Sequence, residues 1–299
     1  MAARRRASHR TGASTGRRSA RPIGGATRVY AIIGDPVAHS LSPAMQNAAF
    51  ATCGLEAVYV PLHVAPGELA AAVAGLSACG VEGWNVTVPH KTAIVPFVDA
   101  LQPRARIAGA VNTVVRTAHG LVGDNTDGDG FVAALRAAGR SPRNAAVLVI
   151  GSGGSVQGIV PALLDAGSRR VVIVNRTRAR ADALVAALDD RRVSTAGLDL
   201  LVDGAELARF AVIVNATSAA LSGDAPPRIR FDATSRDVLC CDLMYGKASP
   251  FLRSATRARR ATVDGLPMLL HQGALAFTLW THRRAPIVAM ERALRAAQR

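Results

Sequence analysis

The chain has 299 residues, enough for two domains of ordinary size, and 49% of them are hydrophobic. Its net charge of +15 suggests a nucleic-acid partner, but seven arginines lie in residues 1–27 and the rest are scattered, with no basic helix interleaved with aromatic residues. No apolar run approaches the roughly 18 residues of a membrane helix, so nucleic-acid binding by the folded part and membrane insertion are both disfavoured.

The first 27 residues are rich in arginine, serine and glycine and contain no acid. They lack the apolar core of a secretory signal. Their composition fits an organelle transit peptide, but a disordered basic extension is the favoured interpretation. The cysteines at positions 53, 79, 240 and 241 show no metal or redox spacing, so we expect a cytoplasmic protein.

From residue 29 onward, apolar runs of strand length alternate with helical patterns. In the first half, strands are predicted over 29–34, 58–63 and 83–88, helices over 42–53 and 66–79, a short helix after the third strand, and a hairpin of 111–115 and 121–123. Ser42 is expected to cap the first helix, with Pro43 at its first position.

The second half begins with a predicted helix over 127–138, followed by a new unit. Strands are predicted over 145–150, 171–174, 211–214 and 238–241, helices from the glycine loop at 151 to 166 and over 179–188, and two last helices over 267–281 and 286–297. This alternation predicts an α/β fold of two domains with a parallel sheet covered on both faces. The expected domains are 28–126, completed by 264–299, and 127–263.

Residues 83–91 read GWNVTVPHK, a predicted strand followed by a helix that opens at Lys91. The strand is expected to bury Trp84, Val86 and Val88 on one face. Asn85 and Thr87 are expected on its other face. Lys91 and Lys247 are the only lysines among 36 basic residues. Because an ammonium, unlike a guanidinium, can give up its proton, Lys91 is a candidate for catalysis, although chance retention at a solvated helix end explains it equally well.

The residues GSGG at 151–154 directly follow an apolar strand and open a helix. In that context they predict a cradle for the diphosphate of a dinucleotide, and the alternative is a merely structural tight turn. The next strand ends in NRTRAR, residues 175–180, without the acid that an NAD site places there. Arg176 and Arg180 could instead bind a 2′-phosphate, which favours NADP, whereas Arg178 fits an ordinary exposed turn.

Small polar residues end several predicted strands of the first domain, namely Ser40, Ser42, Asn85, Thr87, Asn112 and residues 124–127. Side chains of this kind at strand ends suit a small polyhydroxylated ligand, although each residue singly is more often a cap or a turn. Asp124 and Asp127 lack metal-ligand spacing, so no metal is expected. His90 and His119 are interpreted as surface residues.

Ordered motifs give the chain a resemblance to the shikimate dehydrogenases of the shikimate/quinate dehydrogenase family. They are AHSLSP (38–43), NVTVPHK (85–91), GAVNT (109–113), GDNTDG (123–128), NRT (175–177), NATS (215–218), DGL (264–266) and Gln272. The resemblance runs from about residue 29 to the C-terminus. It implies an N-terminal α/β substrate domain, a Rossmann-type NADP domain, and NADPH-dependent reduction of 3-dehydroshikimate to shikimate in aromatic amino-acid biosynthesis.

The resemblance also implies the roles of individual residues. Lys91 and Asp127 would be the catalytic pair. The substrate would be bound by Ser40, Ser42, Asn85, Thr87, Asn112, Asp127, Tyr245 and Gln272. The cofactor would be bound by Gly151, Gly153, Gly154, Asn175, Arg176, Thr177, Arg180, Thr217, Leu243 and Gly265.

Two parts of the chain depart from the family pattern. Residues 155–157 read Ser-Val-Gln where many relatives have Ala-Ser-Arg, which implies a lost cofactor contact, and Pro267 replaces a common glycine. The alternatives are a quinate/shikimate dehydrogenase paralogue that prefers NAD, and a non-catalytic ligand-binding relative. The expected partner is a small-molecule substrate, with no nucleic acid and no membrane, for a monomer or homodimer.

Overall fold

In residues 22–217, 227–246 and 249–298, which the computed structural model describes, the strands form two six-stranded sheets. The first sheet contains β1 (Arg28–Gly34), β2 (Ala57–His63), β3 (Gly83–Val86), β4 (Ala100–Leu101), β5 (Thr113–Thr117) and β6 (Gly120–Asp124). Its order is β2-β1-β3-β5-β6-β4. The first three strands are parallel, and β5 runs antiparallel to both β3 and β6.

The second sheet is wholly parallel. It contains β7 (Ala146–Ile150), β8 (Arg170–Val174), β9 (Val193–Ala196), β10 (Val212–Asn215), β11 (Leu239–Asp242) and β12 (Ala261–Val263) in the order β12-β11-β10-β7-β8-β9. The order reverses direction beside β7, and in such a sheet ligands bind beyond the carboxyl ends of the strands at that point. The glycine loop lies at that place because it directly follows β7.

The described helices connect and cover these strands. They are α1 (Ser42–Thr52), α2 (Leu69–Ala78), α3 (Pro103–Ala108), α4 (Asp127–Ala137), α5 (Gly154–Asp165), α6 (Arg178–Leu188), α7 (Gly204–Leu207), α8 (Pro250–Arg257), α9 (Leu266–Thr281) and α10 (Ile287–Ala297). Short 3₁₀ turns occur at Pro66–Glu68, Val95–Phe97, Leu198–Val202 and Phe231–Ala233. Among these helices none combines the length and apolarity needed to cross a membrane.

Alternating side chains of the strands enter separate apolar layers. In the second sheet, Val147 and Val149 pack on the α5 side, whereas Leu148 packs on the opposite layer. All five residues of β7 are buried, as expected for a central parallel strand covered on both faces. In the first sheet, α9 and α10 return to cover one face, where Phe277 and Trp280 join the layer of β1. The predicted α/β class with returning C-terminal helices is confirmed.

Helix α4 lies at the junction of the two sheets, between α5 and α9. Two glycines on α4 make this close packing possible, because a Cβ on Gly128 would collide with the backbone of Gly158 and one on Gly130 with Gln272. Asp127 is the first residue of this helix and therefore lies at the same junction.

Three local predictions around the third strand are wrong. Strand β3 ends at Val86, and Val88 is 49% exposed, because the chain turns at Pro89, which has no amide hydrogen for a ladder. No α-helix opens at Lys91, which lies in a turn before the 3₁₀ segment Val95–Phe97. His90 is not a surface residue: it is 1% exposed, and its Nε2 lies 2.7 Å from the carbonyl oxygen of Val64.

The first helix also begins differently from the prediction. Ser42 is its first helical residue rather than its cap, the cap position is Leu41, and no side chain bonds there. Residues 1–21 of the predicted disordered extension, Ser218 of the NATS motif and Lys247 lie outside the described residues, and residues 22–26 are exposed.

Candidate active site

The centre of the site is a buried ion pair between Lys91 and Asp127. The Lys91 Nζ lies 2.5 Å from the Asp127 Oδ2, and the two side chains are 11% and 4% exposed. The other carboxylate oxygen of Asp127 accepts a 2.7 Å hydrogen bond from the Asn112 side chain. Burying two charges costs free energy that their attraction only partly returns. A pair of this kind between two sheets is therefore better explained by chemistry than by stability.

The Lys91 ammonium has a second acceptor in the described structure. Its Nζ lies 2.9 Å from the Oγ of Ser155, in the first turn of α5. An ammonium carries three N–H donors, so these two contacts leave one donor for a ligand. The sequence of residues 155–157 predicts only that a cofactor contact is lost. It does not predict the contact between Ser155 and Lys91.

Amide side chains from three elements surround the ion pair. The Asn112 amide donates to Thr126 and Asp127 and, at 3.3 Å, to Gln272 on α9. Its oxygen accepts from the backbone amide of Thr126 at 2.8 Å. Asn85 donates to the Asn112 carbonyl and to a neighbouring threonine. The structure thus brings the predicted residues Asn85, Asn112, Asp127 and Gln272 into one buried cluster.

Tyr59 is a member of this cluster that the sequence interpretation missed. Its hydroxyl donates a 2.7 Å hydrogen bond to the Oδ1 of Asn85, and the residue is 1% exposed. Burial raises the pKa of Tyr59, a hydrogen bond with the Ser42 side chain opposes the rise, and Tyr245 adds to it. The sequence offers one signal for the importance of Tyr59. It is one of only three tyrosines in the chain, and it interrupts an apolar strand.

Ser40, Ser42 and Tyr245 lie at the edge of the same cluster. The Ser42 backbone amide donates to the Ser40 hydroxyl at 3.2 Å. Burial raises the pKa of Tyr245, and hydrogen bonds with the Leu41 backbone and the Ser40 side chain oppose the rise. Tyr245 follows β11 of the second sheet, so these contacts bring residues from the ends of both sheets together. Thr87, half-buried, continues from β3 and donates its amide to the Ile33 carbonyl.

The glycine loop after β7 fits a dinucleotide diphosphate. Gly151 has φ +117°, a conformation that L side chains rarely adopt, and the Ala216 backbone lies against it. A Cβ on Gly153 would project into open space at the N-terminus of α5, where backbone amides can meet an anion. A Cβ on Gly154 would lie 2.9 Å from the Cβ of Lys91, so this glycine also makes room for the lysine.

The predicted adenosine side of the cofactor site follows β8. Asn175 donates to the Thr177 carbonyl at 2.8 Å and thereby shapes the turn. Arg176 and Arg180 are exposed there, as a site for a phosphate on a soluble cofactor requires. Arg178 is exposed as predicted, but it is the first residue of α6 rather than a turn residue, and its Nε lies 3.7 Å from the Oδ2 of Asp182 on the same helix.

The predicted nicotinamide side is formed after β10 and β11. The Thr217 hydroxyl donates to Asn215 at 2.8 Å, and the Leu243 amide donates to the Asn215 carbonyl at 2.9 Å. Gly265 packs directly on the Leu243 carbonyl, where a Cβ would collide. Within the described residues, no cluster of histidine, cysteine, aspartate and glutamate could hold a metal ion.

Three family models match successive parts of the chain. The model described as "Shikimate dehydrogenase substrate binding domain" matches residues 32–114. The one described as "Shikimate / quinate 5-dehydrogenase" matches 133–223, and "Shikimate 5'-dehydrogenase C-terminal domain" matches 265–295.

Individual proteins match over nearly the whole chain. A shikimate dehydrogenase (NADP(+)) of Geobacter metallireducens is 42% identical over 281 residues, covering 92% of this chain and 98% of that protein. The crystal structure of a shikimate dehydrogenase from Aquifex aeolicus has a TM-score of 0.84 and 35% identity, covering 92% of this chain and 100% of that one. A Thermus thermophilus shikimate 5-dehydrogenase, crystallised with NADP(H) and shikimate, has a TM-score of 0.80 and 34% identity, with coverages of 91% and 100%.

Proposed function

The chain belongs to the shikimate dehydrogenase family, and we propose how its residues carry out the family's reaction. The protein is an NADP-dependent oxidoreductase that acts on a CH–OH group and interconverts 3-dehydroshikimate and shikimate in aromatic amino-acid biosynthesis. The observation that carries the assignment of residues is the buried Lys91–Asp127 pair, which lies between the amide cluster and the glycine loop.

Lys91 is the proton donor in the direction of ketone reduction. When bound, NADPH supplies the hydride. Negative charge then develops on the substrate oxygen, and an ammonium within hydrogen-bond reach stabilises that charge and donates its proton. Asp127 holds the ammonium in place through the 2.5 Å contact. In the direction of shikimate oxidation, Lys91 acts as the neutral amine, accepts the hydroxyl proton and becomes the ammonium.

The substrate contacts follow from the cluster around this pair. Ser40, Ser42 and Tyr245, at its edge, bind the carboxylate end of shikimate, since hydroxyl groups can donate to a carboxylate. Asn85, Thr87, Asn112, Asp127 and Gln272 bind its ring hydroxyls. Several of these side chains already hold one another in place by hydrogen bonds, so the site needs little rearrangement to accept the ligand.

The cofactor contacts lie on the second sheet. Gly151, Gly153 and Gly154 cradle the diphosphate, while Asn175, Arg176, Thr177 and Arg180 bind the adenosine 2′-phosphate side. Thr217, Leu243 and Gly265 line the nicotinamide pocket. The absence of an acid in residues 175–180 supports NADP over NAD, because a carboxylate there would repel the 2′-phosphate.

This assignment divides the chain into a substrate domain, residues 28–126 completed by 264–299, and an NADP domain, residues 127–263. The return of α9 and α10 to the first sheet supports that division. We propose a cytoplasmic monomer or homodimer whose partners are its small-molecule ligands rather than nucleic acid or membrane. Light scattering of the purified protein measures the oligomeric state, and a larger assembly would contradict this proposal.

The decisive experiment compares two substrates and two cofactors with the purified protein. We expect oxidation of shikimate with NADP to be faster than with NAD, and faster than oxidation of quinate with either cofactor. Formation of the reduced cofactor is followed by its absorbance. Equal or better rates with NAD would overturn the assignment of Arg176 and Arg180, and equal or better rates with quinate would favour the paralogue.

A further inference from the structure

The first turn of α5, which carries the proposed diphosphate site, also contacts the segment that contains Lys91. The Ser155 Oγ accepts a hydrogen bond from the Lys91 Nζ at 2.9 Å. Two residues farther along, the Gln157 Oε1 accepts a 3.1 Å hydrogen bond from the hydroxyl of Thr92. Two of the three residues that depart from the family pattern in this loop, Ser155 and Gln157, therefore contact the turn that contains Lys91.

The stem of Lys91 runs against the same loop. A Cβ added to Gly154 would lie 2.9 Å from the Cβ of Lys91, 3.4 Å from its Cδ and 3.6 Å from its Cγ. The lysine is thus packed along the loop for most of its length before its ammonium reaches Ser155. Contacts of this kind restrict the rotamers of a long, flexible side chain.

The ammonium has three donors in a fixed tetrahedral arrangement. Asp127 takes one and Ser155 takes another, and the directions of these two bonds determine the direction of the third. With Asp127 alone, the ammonium could rotate about its contact with the carboxylate. The hydroxyl of Ser155 removes that freedom.

We propose that Ser155 is a positioning residue for the reaction: its hydroxyl orients the Lys91 ammonium so that the remaining N–H is held for the substrate oxygen. The inference rests on the proposed function, because it assigns Ser155 a role only through Lys91. It also links the two proposed binding sites, since the loop proposed to hold the cofactor orients the proton donor.

The test begins with Ser155→Ala in the full-length protein. We expect kcat for shikimate oxidation to fall by about tenfold, the order of one lost hydrogen bond to a charged group partly replaced by water. The KM values for shikimate and NADP should stay within about twofold, because no substrate contact is removed. Ser155→Thr keeps the hydroxyl and should restore most of kcat.

A double-mutant cycle separates positioning from a general disturbance of the loop. In a Lys91→Ala background, measured at raised enzyme concentration, Ser155→Ala should change the rate by less than about twofold, because there is no ammonium left to orient. Ser152→Ala, in the same loop, is the comparison variant for Ser155→Ala. We expect it to change the KM for NADP.

Two results would overturn the inference: an unchanged kcat for Ser155→Ala, or an equal loss in the presence and absence of the Lys91 side chain. These results differ from a failure of the proposed function. If the unaltered protein does not oxidise shikimate, the function itself is wrong. If it does and Ser155→Ala matches it, only the role of Ser155 is wrong.

Discussion

The proposed substrate side and the proposed cofactor side of the site are built in opposite ways. On the substrate side the polar side chains are buried, with Asn85 5%, Asn112 2% and Asp127 3% exposed, and they bind one another. On the cofactor side the backbone of a glycine loop makes the cradle, and Arg176 and Arg180 stand exposed after β8. The polar groups on one side hold one another by hydrogen bonds, and the other side offers amides and positive charge to an anion.

The difference predicts different consequences of mutation. Buried hydrogen-bonded groups act in a region of low dielectric constant, where each loss leaves a partner unsatisfied, so changes there should affect turnover and stability. Exposed arginines act through a screened charge interaction, so changes there should affect cofactor affinity and depend on salt. The predictions below separate these two behaviours.

The largest effect is expected from Lys91→Ala. We predict that kcat falls by roughly 10²–10⁴-fold, the usual contribution of a general acid, while shikimate and NADP still bind. Steady-state kinetics combined with a direct binding measurement for each ligand tests this. A nearly normal rate would remove Lys91 from the mechanism.

Lys91→Arg sharpens the same prediction. A guanidinium keeps the positive charge but does not give up a proton at working pH. If proton transfer dominates, the arginine variant should be about as slow as Lys91→Ala. If electrostatic stabilisation of the developing alkoxide dominates, it should retain much of the activity.

A smaller effect is expected from Arg176→Ala on the cofactor side. We predict that the KM for NADP rises by about 5- to 30-fold, as for a hydrogen bond to a charged group weakened by exposure to solvent. The KM for NAD should change little, because NAD has no 2′-phosphate. Arg178→Ala is the matched control two residues farther along, at the start of α6, since Arg178 lies beside Asp182.

Ionic strength should affect the two sides differently. The advantage of NADP over NAD in the unaltered protein should shrink as ionic strength rises, because exposed charges are screened. A loss of kcat in Arg176→Ala, with no change in the KM for NADP, would contradict the division of labour described above.

The fold could be predicted from the sequence wherever a strand is central and apolar. The five apolar residues of β7, Ala146–Ile150, predict a covered parallel strand, and all five are buried. The strands that were missed are β4, β9 and β12, and all three lie at sheet edges. These three edge strands are short and partly exposed, as in Ala261–Val263, so they leave little hydrophobic pattern, unlike the seven-residue edge strand β2. Helix α8 was missed although Ser249 caps it and Pro250 begins it, both of which are recognisable signals.

The sequence predicts which residues belong to the site, but it does not predict which of them are in contact. Motifs point to Asn85, Asn112 and Asp127, because each belongs to a recognisable run of residues. They do not show that Tyr59 and Ser155 touch these groups, because those contacts arise from packing between elements distant in the chain. His90 was placed on the surface for the same reason, since its bond to Val64 joins segments 26 residues apart.

The smallest expected effect comes from Tyr59→Phe, which removes one hydroxyl from the buried side. Asn85 would lose the donor to its Oδ1, and Ser42 would lose its neighbour. We predict that the free energy of unfolding falls by about 0.5–1.5 kcal/mol and the KM for shikimate rises by roughly 3- to 10-fold, as for one buried hydrogen bond. The KM for NADP should not change.

Tyr30→Phe is the matched control for this prediction. Tyr30 is equally buried in the same sheet, but its hydroxyl lies near the charges of Arg28 and Glu82 at the start of β1 rather than beside Asn85. Chemical denaturation and steady-state kinetics of both variants make the test. If the two substitutions raise the KM for shikimate equally, the hydroxyl of Tyr59 has no specific role in orienting Asn85. If only Tyr59→Phe raises it, then the KM for shikimate depends on the orientation of Asn85, which Tyr59 holds without being assigned a substrate contact itself.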